Sequence, residues 1–514
     1  MTAWLAQAGR FVRGLKGWRR LSFAFAAGLF SALGFAPFGL FPLLLLGFAV
    51  LVLLLDGAQT ATHPVRAAAG AGFAFAFGQF LLGLHWIGYA FLVDPAAHEW
   101  QIPFVAVLFP GGLALFITLA MAGAAALWRP GAARILIFTL AYALAEWLRG
   151  HVLTGFPWNL PAYGWGASPA VLQSVALFGT YSLSFLTILF GAALTELFQE
   201  RPHWRFPAAM TGLFALFWAG GATRLALTEV PAVPGVKLRL VQPDIPQAEK
   251  YREEFVLRNW ERLLRLSLMP GDPTILVWPE AAPPVLLTPG TAVWDAIAAL
   301  TATKQGLLTG ALRRRRTAEG TSYSNSFYIF GRNGTLIGTY DKSHLVPFGE
   351  YLPFEKTLGA LGLEKLTGIE GSFVPGDGPH TYNLPGAGTL SPLICYEILF
   401  PGEVVGTKRP DWFVNVTDDS WFGPWAGPRQ HLLVARVRAI EEGVPVARAA
   451  NTGISAIIDP LGRITAKLGQ NRMGVVDGAL PAAIAPTPFS RLGDWFFLLV
   501  CANVALTWRI SKGK

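Results

Sequence analysis

The fold class that the sequence predicts is a polytopic α-helical membrane bundle, with about eight transmembrane helices, joined to one large α/β domain. Composition is the first reason: of 514 residues, 53% are apolar and only 14% charged, and mean hydropathy is +0.43. Ordinary soluble domains carry about a quarter charged residues, so a wholly soluble globular enzyme is not expected, and a disordered or fibrous chain is excluded. The second reason is the placing of apolar runs of roughly 20 residues: seven precede residue 225 and one follows residue 490. The third is the abrupt change between them, where short β-rich runs alternate with helical patterns. The expected divisions are therefore 1–224, a bundle of about seven helices; 225–490, an extramembrane domain; and 491–514, a last helix with a tail.

The spans are expected near 21–36, 38–55, 67–93, 102–127, 132–148, 169–197, 206–223 and 492–510. The third, fourth and sixth exceed the length required, which predicts tilt, kinks or re-entrant pieces. Pro110 with Gly111-Gly112 is the expected kink of the fourth. No run reads as a cleavable signal peptide, because the first follows about 20 residues, lacks a convincing cleavage site and runs straight into the second.

The net charge of +9 would suit a nucleic-acid partner if it were clustered. It is not: residues 225–490 hold 25 Lys+Arg and 25 Asp+Glu, leaving 16 basic and 7 acidic residues to the apolar ends. Basic residues beside apolar runs report topology rather than a phosphate footprint, so no nucleic acid is expected. With a cytoplasmic N-terminus, that side collects Arg10, Arg13, Lys16, Arg19, Arg20, Arg66, Arg129, Arg134, Arg201, Arg205, Arg509, Lys512 and Lys514. The opposite short loops offer Arg149 alone. Both termini are then cytoplasmic and the 225–490 domain lies across the membrane. Trp158, Tyr163 and Trp165 are expected in an interfacial belt, and Asp56, Glu146 and Glu196 are expected to be solvated at span ends.

Within the domain, strands are expected at Lys237–Val241, Thr274–Trp278, Leu307–Ala311, Phe327–Phe330, Leu390–Ile394, Trp412–Val416, Val444–Ala449 and Ile454–Ile457, with helices over 251–268 and 426–442. Gly331-Arg332-Asn333-Gly334 is a hairpin signal. The run Arg313 to Arg316 is expected on a solvated loop after a strand. Mixed sheets covered by helices fit this order better than a sandwich or a helical bundle. Cys395 in the domain and Cys501 in the last span cannot easily meet, so no disulfide framework is expected.

Three strand ends deliver ionisable groups. Thr-Ile-Leu-Val-Trp-Pro-Glu ends on Glu280; Tyr-Asp-Lys-Ser-His-Leu-Val-Pro-Phe-Gly-Glu carries Lys342 and Glu350; Leu-Ser-Pro-Leu-Ile-Cys-Tyr-Glu carries Cys395, Tyr396 and Glu397. A carboxylate, an ammonium and a thiol on strand-end loops suit covalent acyl transfer as base, oxyanion partner and nucleophile. Taken singly each has a plainer account: a solvated Glu, a loop Lys, a small core Cys.

The motifs WPE, DKxHLVPFGE and CYE, in that order, resemble the nitrilase (carbon–nitrogen hydrolase) superfamily. With apolar spans on both sides, the whole chain resembles the apolipoprotein N-acyltransferase family. That resemblance also takes in Gly155-Phe156-Pro157-Trp158, Asp244-Ile245-Pro246-Gln247 and the stretch Asn415 to Gly423. It continues through Gln430-His431, Arg438 to Glu441 and Arg448 to Gly453.

The resemblance implies a nitrilase-like αββα sandwich domain on the periplasmic side of a bacterial inner membrane. It implies transfer of a fatty acyl chain from a glycerophospholipid to the N-terminal α-amine of a diacylglyceryl-modified apolipoprotein, by a ping-pong cycle through a Cys395 thioester. Glu280 matches the general base, Lys342 the oxyanion lysine and Cys395 the nucleophile, with Glu350, Tyr396 and Glu397 supporting. Glu350 has a rival account as an ion pair that orients Lys342. Tyr251, Trp158, Phe156, Trp421 and Phe348 are the expected substrate-binding or gating residues, and 346–370 is the expected lid over the thioester. Tyr251 stands where the family commonly has Trp, and Asp418 where it has Asn. His431 is expected to serve packing. A monomer is expected, and neither cofactor nor metal, because the lack of an HExxH, CxxC pair, GxSxG or Walker A motif leaves zinc, serine-hydrolase and nucleotide readings without support. The alternative is a membrane-tethered amidase or nitrilase acting on a small amide or nitrile; a transporter or scaffold is disfavoured by the scarcity of intramembrane charge.

Overall fold

The computed structural model describes residues 2–317, 320–360, 365–366 and 372–510. The chain divides into two compact units: Met1–Gly88, Gln101–Thr228 and Thr487–Lys514 form one, and Tyr89–Trp100 with Glu229–Pro486 form the other.

The first unit is helical. Among the described residues six helical stretches are long and apolar enough to cross a membrane: Phe41–Ala58, Pro64–Gly83, Pro95–Ala126 (of which Pro95–Trp100 falls in the other unit), Ala132–Thr154, Val175–Phe198 and Arg205–Leu227. The expected first and last spans are the 16-residue helices Gly17–Ala32 and Trp495–Ile510. A further helix, Thr2–Gly14, precedes them. Large apolar side chains such as Leu108, Leu119, Leu216 and Trp218 are exposed on the outer helices, which suits hydrocarbon as solvent because helices satisfy their own backbone. The expected third span stops at Gly83 and continues as a 3-10 turn over His85–Leu92. The sixth is broken, with Gly179 at φ +80° inside Val175–Ala193. The fourth is not broken: Ile102–Ala126 runs through Pro110, because one missing rung does not end a 25-residue helix.

Two expectations for this unit are corrected. Trp158, Tyr163 and Trp165 are buried, not a surface belt. The segment folds inward as a 3-10 turn over Pro161–Ala167, where Trp165 donates to Thr187 Oγ1 at 2.9 Å and packs on Phe41 and Phe214. Nor are the span-end carboxylates solvated. Arg134 pairs with Glu196 at 2.7 Å and Asp56 at 3.3 Å, and Arg149 pairs with Glu146 at 2.5 Å, all largely out of solvent. A charge at a helix end within an apolar unit needs a partner once water is excluded.

The second unit holds thirteen strands among the described residues: β1 (Ala232–Gln242), β2 (Ile275–Trp278), β3 (Gly306–Thr317), β4 (Gly320–Phe330), β5 (Leu336–Asp341), β6 (Ser372–Phe373), β7 (Tyr382–Leu384), β8 (Gly388–Ile394), β9 (Trp412–Thr417), β10 (Val446–Ala450), β11 (Ser455–Ile458), β12 (Ile464–Leu468) and β13 (Gly474–Pro481). One sheet has the order β13-β1-β2-β3-β4-β5, with β6 on β4; the other runs β12-β11-β10-β9-β8-β7. In each, the central strands are parallel: β1-β2-β3 and β8-β9-β10.

Strand alternation builds the layers. Leu238, Leu240, Ile275, Val277, Phe327 and Ile329 face a core shared with Leu390, Ile394, Trp412, Val414, Val416, Ala447 and Ala449 of the other sheet. The intervening Leu276, Trp278, Tyr328 and Phe330 pack outward with Leu263 and Leu266 of helix Glu253–Ser267 and Ile297 and Leu300 of helix Ala292–Thr301. Helix Ala426–Glu442 covers the far side of the second sheet, beside β10. The result is the α/β sandwich with two sheets between helices. Arg313 to Arg316 do not sit on a loop. They lie in β3, paired antiparallel with Ser324 to Thr321 of β4. Alternation puts Arg313 and Arg315 on one face, where both bond the Asp341 carboxylate of β5.

Candidate active site

The groups singled out by their strand-end position meet at the carboxyl ends of the parallel strands, where open α/β sheets present functional loops. Glu280 follows β2 by two residues, and its loop lies against β3 at Gly310. A Cβ on Gly310 would stand 2.6 Å from Glu280 Cα, so only glycine permits this approach. Lys342 follows β5, Cys395 follows β8, and Asp418 follows β9. Glu280, Lys342, Glu350 and Cys395 are all buried.

Glu280 is held at both oxygens. Oε1 accepts from Asn325 Nδ2 at 2.7 Å, and Oε2 accepts from the Asp418 backbone N–H at 2.8 Å. Asn325 also donates to Glu350 at 2.9 Å, so one amide ties the two carboxylates together. Lys342 Nζ lies 2.9 Å from Glu350 and 3.7 Å from Glu280. Glu350 is fixed in turn by the Val346 N–H at 2.8 Å. Burial pushes the Glu280 carboxyl above its ordinary range; Lys342 opposes this, while Glu350 and Asp418 add to it. Burial alone would depress Lys342, but Glu350 and Glu280 outweigh it and keep the ammonium charged. The Cys395 thiol is pushed well up by burial and by the Glu280 charge, against the pull of Lys342. The Cys395 sulfur is therefore held as a thiol beside the Glu280 carboxyl, not as a standing thiolate.

Cys395 has φ +50°, in the left-handed region. Such backbone persists only when its surroundings over-determine it. Glu397 supplies part of that: Oε2 accepts from the Ile394 N–H at 2.7 Å, while Oε1 accepts from Tyr340 OH at 2.5 Å, Ser343 N–H at 2.7 Å and Ser343 Oγ at 2.9 Å. Glu397 thus staples the Cys395 turn to the loop that carries Lys342. Tyr396 is buried, its ring 5.2 Å from Phe400.

Lys250 and Asp418 form a buried ion pair at 2.5 Å, and Lys250 also donates to the Glu280 carbonyl at 3.0 Å. Asp418, the departure from the family Asn, is therefore charge-matched by a neighbouring lysine. Tyr251 is exposed, Trp421 is half-buried beside this pair in sequence, and Phe348 is exposed at φ +63°. Trp158 and Phe156 belong to the helical unit, where Trp158 packs on Trp86 and both carbonyls accept from Arg149. Of the expected lid, 361–364 and 367–370 lie outside the described residues; the remainder includes the short helix Glu355–Ala360. Among the described residues no cluster of His, Cys, Asp or Glu suits a metal ion.

Sequence reasoning missed Asn325 and met Thr417, Asp419 and Arg448 only within stretches that carry the resemblance, with no part in the site. Thr417 Oγ1 lies 3.2 Å from Cys395 Sγ and 2.9 Å from Asp419 Oδ1. His431 contacts Asp419 Oδ1 through Nδ1 at 3.0 Å and the Cys395 carbonyl through Nε2 at 3.2 Å.

Two family models match the chain: residues 237–489 match carbon–nitrogen hydrolase, and residues 27–193 match the apolipoprotein N-acyltransferase N-terminal domain. An apolipoprotein N-acyltransferase of Rhodopseudomonas palustris is 41% identical over 513 residues, covering 96% of each chain. One from Bradyrhizobium diazoefficiens is 43% identical over 495 residues, covering 93% of this chain and 92% of the relative. A third, from Allorhizobium ampelinum, is 38% identical over 486 residues and 92% of both.

Proposed function

The chain belongs to the apolipoprotein N-acyltransferase family, and from that premise we propose that it acylates the N-terminal α-amine of diacylglyceryl-modified apolipoproteins with a chain taken from a glycerophospholipid. The observation that carries this reading is the meeting of Glu280, Lys342 and Cys395 in one buried cluster.

Each residue has a chemical part. Glu280 takes the Sγ proton as Cys395 attacks the phospholipid ester carbonyl. The Lys342 ammonium faces the developing oxyanion. Collapse of the tetrahedral intermediate expels the lysophospholipid alkoxide, which recovers the proton from Glu280 and leaves a Cys395 thioester. The neutral α-amine then attacks the thioester, Glu280 accepts its proton, and collapse to the amide returns the proton to sulfur. Glu350 and Asn325 keep Lys342 and Glu280 in register, and Glu397 holds the turn. Tyr251, Trp421 and Phe348 are offered as acyl-chain or entry contacts of the domain, and Phe156 and Trp158 as contacts of the membrane unit. Exposing acyl chains to water would cost about 0.8 kcal/mol per methylene, which favours a catalytic unit worked from the bilayer.

The orientation proposed is periplasmic for the catalytic unit. Arg20 and Arg134 are buried and bonded within the helical unit, and setting them aside still leaves eleven basic residues on the cytoplasmic side. A donor-only assay tests the cycle: purified protein with phospholipid and no acceptor should release one equivalent of lysophospholipid and stop. Adding a diacylglyceryl-cysteinyl peptide should restart release, one N-acyl peptide per turnover. Release of free fatty acid or ammonia instead would overturn the reading.

A further inference from the structure

Behind Cys395, on the helix-covered side of the second sheet, lies a cluster for which the cycle above has no use. Asp419, His431 and Arg448 are fully out of solvent. Arg448 Nη2 donates to Asp419 Oδ2 at 2.7 Å, and its Nη1 donates to Asn415 Oδ1 at 2.5 Å. The register of β9 against β10 sets Asn415 opposite Arg448. Room for the Asp419 carboxylate exists because residue 453 is glycine, where a Cβ would come 2.1 Å from Oδ2. Although burial opposes it, Arg448 and His431 hold the Asp419 carboxyl down at about 2. At any working pH it is an anion, and an ionised carboxylate only accepts hydrogen bonds.

We propose that Thr417 is a positioning residue whose single hydroxyl proton switches between Asp419 and the Cys395 sulfur as the nucleophile is charged and discharged. The geometry leaves the hydroxyl two acceptors, Asp419 Oδ1 at 2.9 Å and Sγ at 3.2 Å, and one proton. Against a neutral thiol the carboxylate wins, since bonds to charged acceptors are roughly twice as strong. Thr417 then turns lone pairs toward sulfur and can accept the S–H. When Glu280 removes that proton, sulfur too becomes a charged acceptor while Asp419 keeps its Arg448 donor, and the Thr417 O–H rotates to the sulfur. No covalent bond to Thr417 breaks. Asp419 can release the hydroxyl because the Arg448 guanidinium continues to hold it. The groups facing Cys395 are then Glu280 and Lys342 from the loops, Thr417 with Asp419 behind, and His431 at the backbone carbonyl. This proposal rests on Cys395 being the nucleophile.

The test uses full-length protein carrying Cys501→Ala, so that Cys395 is the single thiol of a two-cysteine chain. The pH dependence of iodoacetamide alkylation reports the thiolate, and the S–H stretching band reports the resting thiol. Loss of a hydrogen bond to a charged group is expected to move the alkylation midpoint of Thr417→Val up by about one pH unit. At fixed pH below the midpoint, alkylation and thioester formation slow about tenfold while KM for phospholipid holds. The S–H band shifts to the higher wavenumber of a free thiol. Thr417→Ser retains the wild-type midpoint and band. A Thr417→Val titration superimposable on wild type, or a Thr417→Ser shift as large as that of valine, would overturn the proposal. Neither readout requires acyl transfer, so failure of the thioester reading itself shows separately, as absence of acyl label on Cys395.

Discussion

Asn325 shows how much of the proposed chemistry is set by a residue with no reactive group. Its amide donates to both Glu280 and Glu350, and the bond to Glu280 draws that carboxyl down against the upward push of burial. The sign of the pH dependence follows. In the proposed cycle the base works as the carboxylate, so thioester formation is expected to be lost as pH falls through a Glu280 pKa that lies above the ordinary carboxylate range. In Asn325→Ala the donor is gone, the pKa rises further, and the acid limb moves to higher pH; rate profiles of thioester formation on both proteins check this, and an unmoved or lower limb counts against the assignment. Glu280→Gln should slow the step by about 10²–10⁴ at every pH. The proposed chemical residues stood out because Glu280 and Cys395 follow apolar strands and Lys342 and Glu350 lie in the Asp-Lys-Ser-His-Leu-Val-Pro-Phe-Gly-Glu motif. Asn325 was not, because a polar residue within Thr-Ser-Tyr-Ser-Asn-Ser reads as one more position in an alternating strand. His431 was read as a packing residue, and it does bond a backbone carbonyl, but its partners Asp419 and Arg448 come from other segments and only the fold brings them together.

At the scale of elements, the apolar runs gave the central strands, and every expected strand has its counterpart among β1–β4 and β8–β11. The edge elements β5, β7, β12 and β13 escaped notice because each is short or half exposed and carries only half an apolar pattern. Arg313 to Arg316 went to a loop for a related reason: four like charges do not look like a strand until Asp341 of β5 is seen to receive two of them. The placement of Glu280 depends on one such element contact, where β3 presents Gly310 to the loop after β2. Gly310→Ala must displace that loop. Overpacking of this kind costs about 1–3 kcal/mol, and a shift of about 1 Å in a catalytic group costs roughly 10² in rate. The expected outcome is a protein that still unfolds cooperatively at a modestly lower Tm but forms thioester about a hundredfold more slowly. A full-rate Gly310→Ala enzyme would show that Glu280 does not need its present position.

For the whole molecule, the excess positive charge lies outside the catalytic unit, in the membrane-spanning ends. Spans were legible as runs but not in detail, since apolar length alone does not show where Gly83 or Gly179 interrupts a helix, or that Trp158 and Arg149 turn inward. The proposed topology predicts that protease added to spheroplasts cuts within 229–486 and spares a tag at the C-terminus, with the reverse pattern in inverted vesicles. The central claim is that Cys395 carries the acyl group between donor and acceptor, and covalent labelling tests it most directly. Purified protein incubated with acyl-labelled phospholipid, without acceptor, should retain one label per chain on the peptide containing Cys395, released by neutral hydroxylamine and absent from Cys395→Ala. Label that persists in Cys395→Ala, or that resists hydroxylamine in the wild-type protein, would contradict it.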